Sequence, residues 1–572
     1  MRARSRRPAR LALAALAATL ALGGSGLAEA TTTTVPAHVT LTLSLPGPFV
    51  GCSVLDPTAS PSLRALLDLV RPSAFLTSST GVLQGSQVAV TSAELTSLAP
   101  QTVVYTIAPG LRWSNGHPFR AQDLVAWWRA ARAQASVASD GYRAIRRLAV
   151  SDGGLRVTAV FAHPYSPWAL LFHDVGYRGE PLTCPAGGLA AEPSLGPYRV
   201  VTASASQVVL VRDANWPASP DEPSRIVALV DQPLPASTAA PFASFSLTVD
   251  RGQIDELSSH AADLSHLGSS SGLEEVVYSP TSRWTRPIAL REALSVGIDR
   301  TSLITALWGQ VTFSPSVAAS ALYSQGDPEY PGVAGHAPSE STTSTTLAAT
   351  STTLDAAATA QADCVTCARL LLHSLGFRRT AAGLLSPAGS PVRLVVAYGP
   401  TDLDRTAATL IARQWGALGF ATTLLATRSE RQAVGEVATG HADAAVVLRQ
   451  TTTSPATMAR AFVGPAYTDA YSSGAVVAGV AALYHRAMDS FNAVSARSVW
   501  SELDHALLES FWVRPLFTPP SLEVWSPVLS GVVASDTLAE MVDQIPSWTY
   551  QPLTPTTSTT AAHSSSRRHR VH

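Results

Sequence analysis

The sequence predicts an α/β chain with at least two lobes, and three observations carry that prediction. The chain has 572 residues, enough for two separate cores. Residues 392–398 read as a strand, 407–418 as a helix ending at Gly419, and 421–426 as the next strand. A β-α-β succession of this kind implies a parallel sheet with a right-handed crossover. Finally, residues 104–108 alternate in polarity like a strand, break at Pro109-Gly110, turn at Ser114-Asn115-Gly116 and enter an aromatic helix at Ala121.

Composition narrows the function classes. The net charge of −1 offers no electrostatic footprint for nucleic acid. Every basic residue apart from the histidines is an arginine, which removes Schiff-base and P-loop lysine chemistry. Histidines are scattered, without H-E-x-x-H or paired helical spacing, so neither a metal site nor a cofactor is expected. Gly268-Ser-Ser-Ser-Gly272 satisfies G-x-S-x-G, but no buried strand is predicted before it, as a nucleophile elbow around Ser270 requires. The acidic pair Glu274-Glu275 reads as solvated. No enzymatic activity is expected.

The N-terminus reads as an export signal over residues 1–30. Arg2, Arg4, Arg6, Arg7 and Arg10 precede an apolar run, 11–22, too short to span a bilayer, and Ala28-Glu29-Ala30 supplies the cleavage site. No cysteine for lipid attachment follows, and no later run is apolar enough for a transmembrane helix, so an extracytoplasmic product at the cell envelope is expected. Four cysteines in an exported chain favour disulfides. The simplest pairing is Cys364–Cys367 within a C-x-x-C, with Cys52–Cys184 as the second bridge. A redox role for the C-x-x-C stays open, because a helix start lowers thiol pKa.

Beyond a polar leader, 31–37, several blocks share one pattern. Trp113, Gly116, Pro118, Ala121, Asp123 and Trp127 form the first. Gly196-Pro197-Tyr198 enters a predicted hairpin that closes at Asn215-Trp216. Arg291, Ala293, Ile298, Asp299 and Arg300 follow on a helix whose successor Asp299 can cap. Residues 367–376 make a helix ending in glycine, and 513–517 a late strand. Together they resemble the family 5 extracellular solute-binding proteins, the binding components of peptide, nickel and oligosaccharide ABC importers, in an actinobacterial branch. Asn115 departs from the family's usual Asp.

The resemblance implies a two-lobed periplasmic-binding-protein type II fold (cluster C, with an extra subdomain in the N-terminal lobe). Its expected divisions are an N-terminal lobe at 38–283, a C-terminal lobe at 284–512 with a Ser/Thr/Ala loop at 339–360, a return at 513–550 and a basic tail at 551–572. Residues 441–447 are taken as a strand crossing between lobes, and 155–161 as an edge strand. The implied function is capture of a peptide-like or other organic solute by a monomer that presents it to ABC permease subunits. The alternative is a non-transporting scaffold or regulator of envelope glycolipid assembly; an exported hydrolase is a distant third.

For site residues the resemblance implies Arg449, Gln450, Thr451 and Thr452. Oligopeptide-binding members carry there, four residues before a Pro, an Asp that pairs with the peptide amino group. Counting back from Pro455 gives Thr451, whose hydroxyl cannot offset a buried ammonium. Arg449 offers a guanidinium to a phosphate or carboxylate, or is a solvated loop residue. Trp415 offers a stacking face, or packs in a core.

Overall fold

The computed structural model describes residues 39–56, 59–77, 83–86, 88–133, 137–179, 188–216, 222–234, 240–249, 251–257, 264–269, 272–309, 315, 317–323, 363–450, 455–463, 477 and 479–551. The export signal, the leader, Cys184, Ser270, the 339–360 loop, Thr451, Thr452 and the basic tail from 552 lie outside them.

Three sheets organise the described chain. Sheet I has seven strands in the order Leu264–Ser269, Pro520–Trp525, Phe242–Ser246, Thr40–Leu45, Arg225–Val230, Gln207–Arg212 and Tyr198–Ala203. Its centre is Thr40–Leu45, parallel to both neighbours, with Leu41, Leu43 and Leu45 buried in one apolar cluster. Sheet II has five strands in the order Ala421–Ala426, Arg393–Tyr398, Ala444–Gln450, Gly272–Tyr278 and Val513–Phe517. Arg393–Tyr398 runs parallel to both of its neighbours, as the β-α-β reading requires.

Sheet III is a four-stranded antiparallel subdomain, Val90–Leu98, Gln101–Ile107, Arg156–Phe161 and Ile145–Ser151. Gln101–Ile107 alternates buried and half-buried residues along its length, the period-2 pattern its sequence shows. Arg156–Phe161 lies between Gln101–Ile107 and Ile145–Ser151, so it is interior and not the expected edge strand. The first motif block builds a turn and a packing edge of this subdomain. Gly110 and Gly116 both take φ +84°, the left-handed conformation that glycine enters without a Cβ clash. Trp113 is buried edge-on to Phe119 and Tyr177. Asp123 accepts from the Arg120 backbone N–H at 2.9 Å and closes the start of the helix Ala121–Ala131.

Arginines of the Arg291–Arg300 block fasten the C-terminal lobe. Arg291 donates to the carbonyls of Thr285 (2.8 Å), Arg286 (2.7 Å) and Ser510 (2.9 Å), with its guanidinium 3.4 Å from the Trp512 ring centroid. Asp299 caps the helix Arg300–Trp308 by accepting from Ser302 N at 2.9 Å. Arg300 in turn meets Asp363 at 2.7 Å and the carbonyls of Ala318 and Pro515 at 3.0 and 3.1 Å. Cys364 and Cys367 are joined in a disulfide at the start of the helix Val365–Ser374, and Cys364 Sγ accepts from Cys367 N. Cys52 is disulfide-bonded too; Cys184, its expected partner, lies outside the described residues.

Sheet III shares its core with helices far along the chain. Val480–Met488 and Ala493–Ser510 pack against it, so Tyr165, Tyr484, Met488 and Trp500 belong to one apolar cluster. Ser166 donates through N and Oγ to the carbonyls of Met488 and Ala487, both at 2.8 Å. Gln101 Nε2 donates to the carbonyls of Tyr165 (3.0 Å) and Phe491 (3.2 Å).

Candidate functional site

Sheets I and II are joined by a two-stranded ribbon. Leu264–Ser269 in sheet I leads to Gly272–Tyr278 in sheet II, and Val513–Phe517 in sheet II returns to Pro520–Trp525 in sheet I. The outgoing and returning strands pair antiparallel on both sides of the crossing. The chain therefore changes sheets between Ser269 and Gly272 and again between Phe517 and Pro520, whereas the expected divisions were 283 and 513. Ala444–Gln450, read as a crossing strand, is instead a central strand of sheet II.

The carboxyl ends of Arg393–Tyr398, Ala444–Gln450 and Val513–Phe517 lie on the side of sheet II where this crossing occurs, beside the amino end of Gly272–Tyr278. In open α/β sheets ligands bind outside the carboxyl ends, where strand order reverses. In sheet II that reversal falls between Arg393–Tyr398 and Ala444–Gln450, its two neighbours to either side being visited in opposite directions. Asp404, in the first turn of the helix Asp402–Leu418, bridges the gap: one carboxylate oxygen accepts from Leu448 N at 2.9 Å, the other from Thr401 N at 2.9 Å.

Charges buried here are paired or pushed toward neutrality. Arg449 forms a bidentate ion pair with Glu275, Nε to Oε1 at 2.9 Å and Nη2 to Oε2 at 2.7 Å, and Nη2 also donates to the Ala321 carbonyl at 2.7 Å. Both side chains are buried, at 4% and 3% exposure. Burial raises the Glu275 pKa, and the Arg449 charge opposes the rise. Asp504 caps the neighbouring loop by accepting from Ala321 N at 2.8 Å; burial pushes its pKa up to about 6. Glu274 is fully buried and neither carboxylate oxygen has a hydrogen-bond partner among the described residues. Burial raises its pKa well above the usual range, and Asp404, Glu275 and Glu430 raise it further, so its neutral form is favoured.

Among the predicted residues, Arg449 and Gln450 occupy the last two positions of a sheet II strand, opposite Leu273 and Gly272. Arg449 is a buried ion-pair partner, so the solvated-loop reading does not hold. Trp415 is a core residue of the C-terminal lobe: its indole is fully buried beside Tyr278 and donates to the Leu294 carbonyl at 2.9 Å. Its faces are covered by the lobe's own side chains. Glu274 and Glu275 are buried, which corrects the solvated reading. The signal that would have found them is their setting, a short run between Gly272 and Val276-Val277-Tyr278 that reads as a strand once its apolar flank is weighed. A cavity of about 150 Å³ bordered by Leu111, Arg112, Gly196, Asp213 and Trp216 includes none of the crossing residues.

The family model for bacterial extracellular solute-binding proteins, family 5 middle, matches residues 90–469. This chain belongs to that family. Solved structures share this chain's fold. A periplasmic EDTA-binding protein, EppA, superposes with a TM-score of 0.74 at 19% identity, covering 90% of this chain and 97% of EppA. The oligopeptide-binding protein AppA of Bacillus subtilis, in complex with a nonapeptide, gives 0.68 at 12% identity over 89% and 98%. Identities this low speak for the two-lobed fold alone. Two curated family relatives align over shorter stretches. The oligopeptide-binding protein OppA of Mycobacterium bovis is 30% identical over 27% of this chain and 28% of its own. The probable monoacyl phosphatidylinositol tetramannoside-binding protein LpqW of Mycobacterium tuberculosis is 28% identical over 29% of each. The aligned part spans under a third of either relative.

Proposed function

We propose that this chain is the extracytoplasmic solute-binding component of an ABC importer, capturing an organic solute between its lobes as a monomer and presenting it to permease subunits. The observation that carries this reading is the paired crossing of two sheet-bearing lobes with strand ends converging beside it. Lobes joined in this way close when the ligand binds the closed arrangement better than the open one. Export by the 1–30 segment agrees with family membership, and no described helix is long and apolar enough to cross a membrane.

Among the candidate residues we assign Gln450, Thr451 and Thr452 to the ligand. Arg449 acts as a positioning residue, holding the strand end through Glu275, and Trp415 supports the lobe from its core. With Thr451 at the place of the acidic anchor, the preferred solute does not depend on a free ammonium at that point. The reaction class is reversible binding without covalent change.

The test is to purify the chain from Thr31 onward, extract co-purified compounds and identify them by mass spectrometry, then measure rebinding by intrinsic tryptophan fluorescence. A small organic solute that rebinds supports the reading, as do permease and ATPase genes beside this one. A peptide held by its amino terminus would count against the assignment of Thr451. A glycolipid with no adjacent permease genes would favour the envelope-regulator alternative, and turnover of the bound compound would overturn binding as the function.

A further inference from the structure

A second cluster stands within the N-terminal lobe, apart from the crossing. Asp68 ends the helix Pro61–Asp68, while His173 and Asp174 follow the turn at Trp168–Leu170. Asp174 has φ +47°, a left-handed conformation that Asp and Asn tolerate best among residues with a Cβ. His173 Nε2 lies 3.2 Å from Asp68 Oδ1 and 3.7 Å from Asp174 Oδ2. The three ligand atoms all fall within 4.8 Å of one another.

Two features indicate that a cation belongs among them. Asp174 is fully buried, and its Oδ2 has no hydrogen-bond partner among the described residues. The other ring nitrogen, His173 Nδ1, is 3.2 Å from the Phe75 carbonyl, which can only accept, so Nδ1 carries the proton. The other edge of the ring, Nε2, faces two carboxylate oxygens. Three electron-rich atoms that converge in this way repel unless a proton or a metal ion sits among them. Imidazole nitrogen and carboxylate oxygen at about 2.0–2.2 Å from a tetrahedral ion stand roughly 3.3–3.6 Å apart, close to the spacings seen here. A histidine that donates its second N–H to a backbone carbonyl is the usual outer-shell arrangement of a metal ligand.

We propose that Asp68, His173 and Asp174 form a site for a divalent transition ion of the zinc class, which fastens the first lobe's helix to the chain leaving the inserted subdomain. The surrounding charges are mixed. Asp543, on the helix Leu538–Gln544, adds a third carboxyl whose pKa is pushed up to about 9 by burial and then by Asp68. Arg71 offsets part of this charge but is itself paired with Glu192. Burial disfavours the His173 imidazolium, yet Asp174 and Asp68 outweigh it and raise its pKa to about 10. This site is independent of the solute reading and involves no residue assigned to the solute.

The test uses the chain from Thr31 onward, stripped with chelator, carrying His569→Gln and His572→Gln so that the tail cannot bind metal. Calorimetric titration with zinc chloride in two buffers of different ionisation enthalpy should show one saturable site with release of about one proton or more per ion. Asp174→Asn, which keeps the left-handed preference, and Asp68→Asn should each weaken binding by about tenfold or more. Cobalt(II) added to the parent chain should give visible d–d absorption that zinc abolishes, a readout that does not depend on how the variants fold. No saturable uptake, or an affinity unchanged in Asp174→Asn, would overturn the proposal.

Discussion

Arg449 and Glu275 sit side by side in sheet II, 174 residues apart in sequence, and share two hydrogen bonds of 2.9 and 2.7 Å with almost no access to water. Each desolvated charge depends on the other, so breaking the pair differs from replacing it. Arg449→Met leaves the Glu275 carboxylate buried and uncompensated, which costs about 3–5 kcal/mol. Adding Glu275→Gln should recover most of that loss. Urea denaturation of the two single variants and the double variant at neutral pH measures the coupling; additive effects would refute it.

Glu523 predicts a pH dependence in the first lobe. It is buried on the returning strand, with Oε2 accepting from Ser535 N at 2.7 Å and Oε1 lacking a hydrogen-bond partner among the described residues. Burial lifts its pKa from 4.5 to about 7, with Glu540 and Asp536 adding to the rise. Below the unfolded pKa both states hold the proton and there is no penalty. Between about 4.5 and 7 the native state keeps a proton that the unfolded chain releases, so stability falls as pH rises. The loss is complete above about 7 and amounts to about 3 kcal/mol. Glu523→Gln should raise Tm at pH ~8 and leave it nearly unchanged at pH ~4, as followed by thermal unfolding.

The Cys364–Cys367 bridge closes a very short loop, so its effect on the unfolded chain is small. Replacing it should cost about 2 kcal/mol or less. Cys364→Ser with Cys367→Ala keeps an oxygen at the helix cap, and its midpoint in chemical denaturation should shift little. A collapse of the fold on reduction would show that the bridge does more than close this turn.

Gly196 is required by close approach. A Cβ placed there would meet the Leu69 carbonyl oxygen at 2.4 Å and Val70 Cα at 2.9 Å, both backbone atoms that cannot rotate away. Gly196→Ala should destabilise by about 1–3 kcal/mol through overpacking. The loosened seam should appear in hydrogen exchange at Leu195 and Tyr198, whose amides donate to Val70 and Leu69.

Much of the framework was legible in sequence. The strand entering Ile107, the Asp123 and Asp299 caps and the strand–helix–strand run from 393 to 426 are local features, each decided by neighbours within a few residues. The interior place of Arg156–Phe161 was not legible, because its alternation is the same whether one partner strand or two flank it. The burial of Glu274 and Glu275 was hidden for a related reason. A carboxylate in a strand reads as solvent-facing until the flanking strands, the helix start at Asp404 and the Arg449 guanidinium are known to lie beside it.

By itself the sequence determined the periodicities, the caps, the turns and the ordered motif blocks, and with them the family and its two-lobed fold. Only the tertiary structure decided where the chain crosses between sheets, which buried charges are paired, and that Asp68, His173 and Asp174 converge. Hydrogen-bond periodicity acts over a few residues, whereas charge pairing in a dry interior follows from strand register and packing between segments distant in sequence.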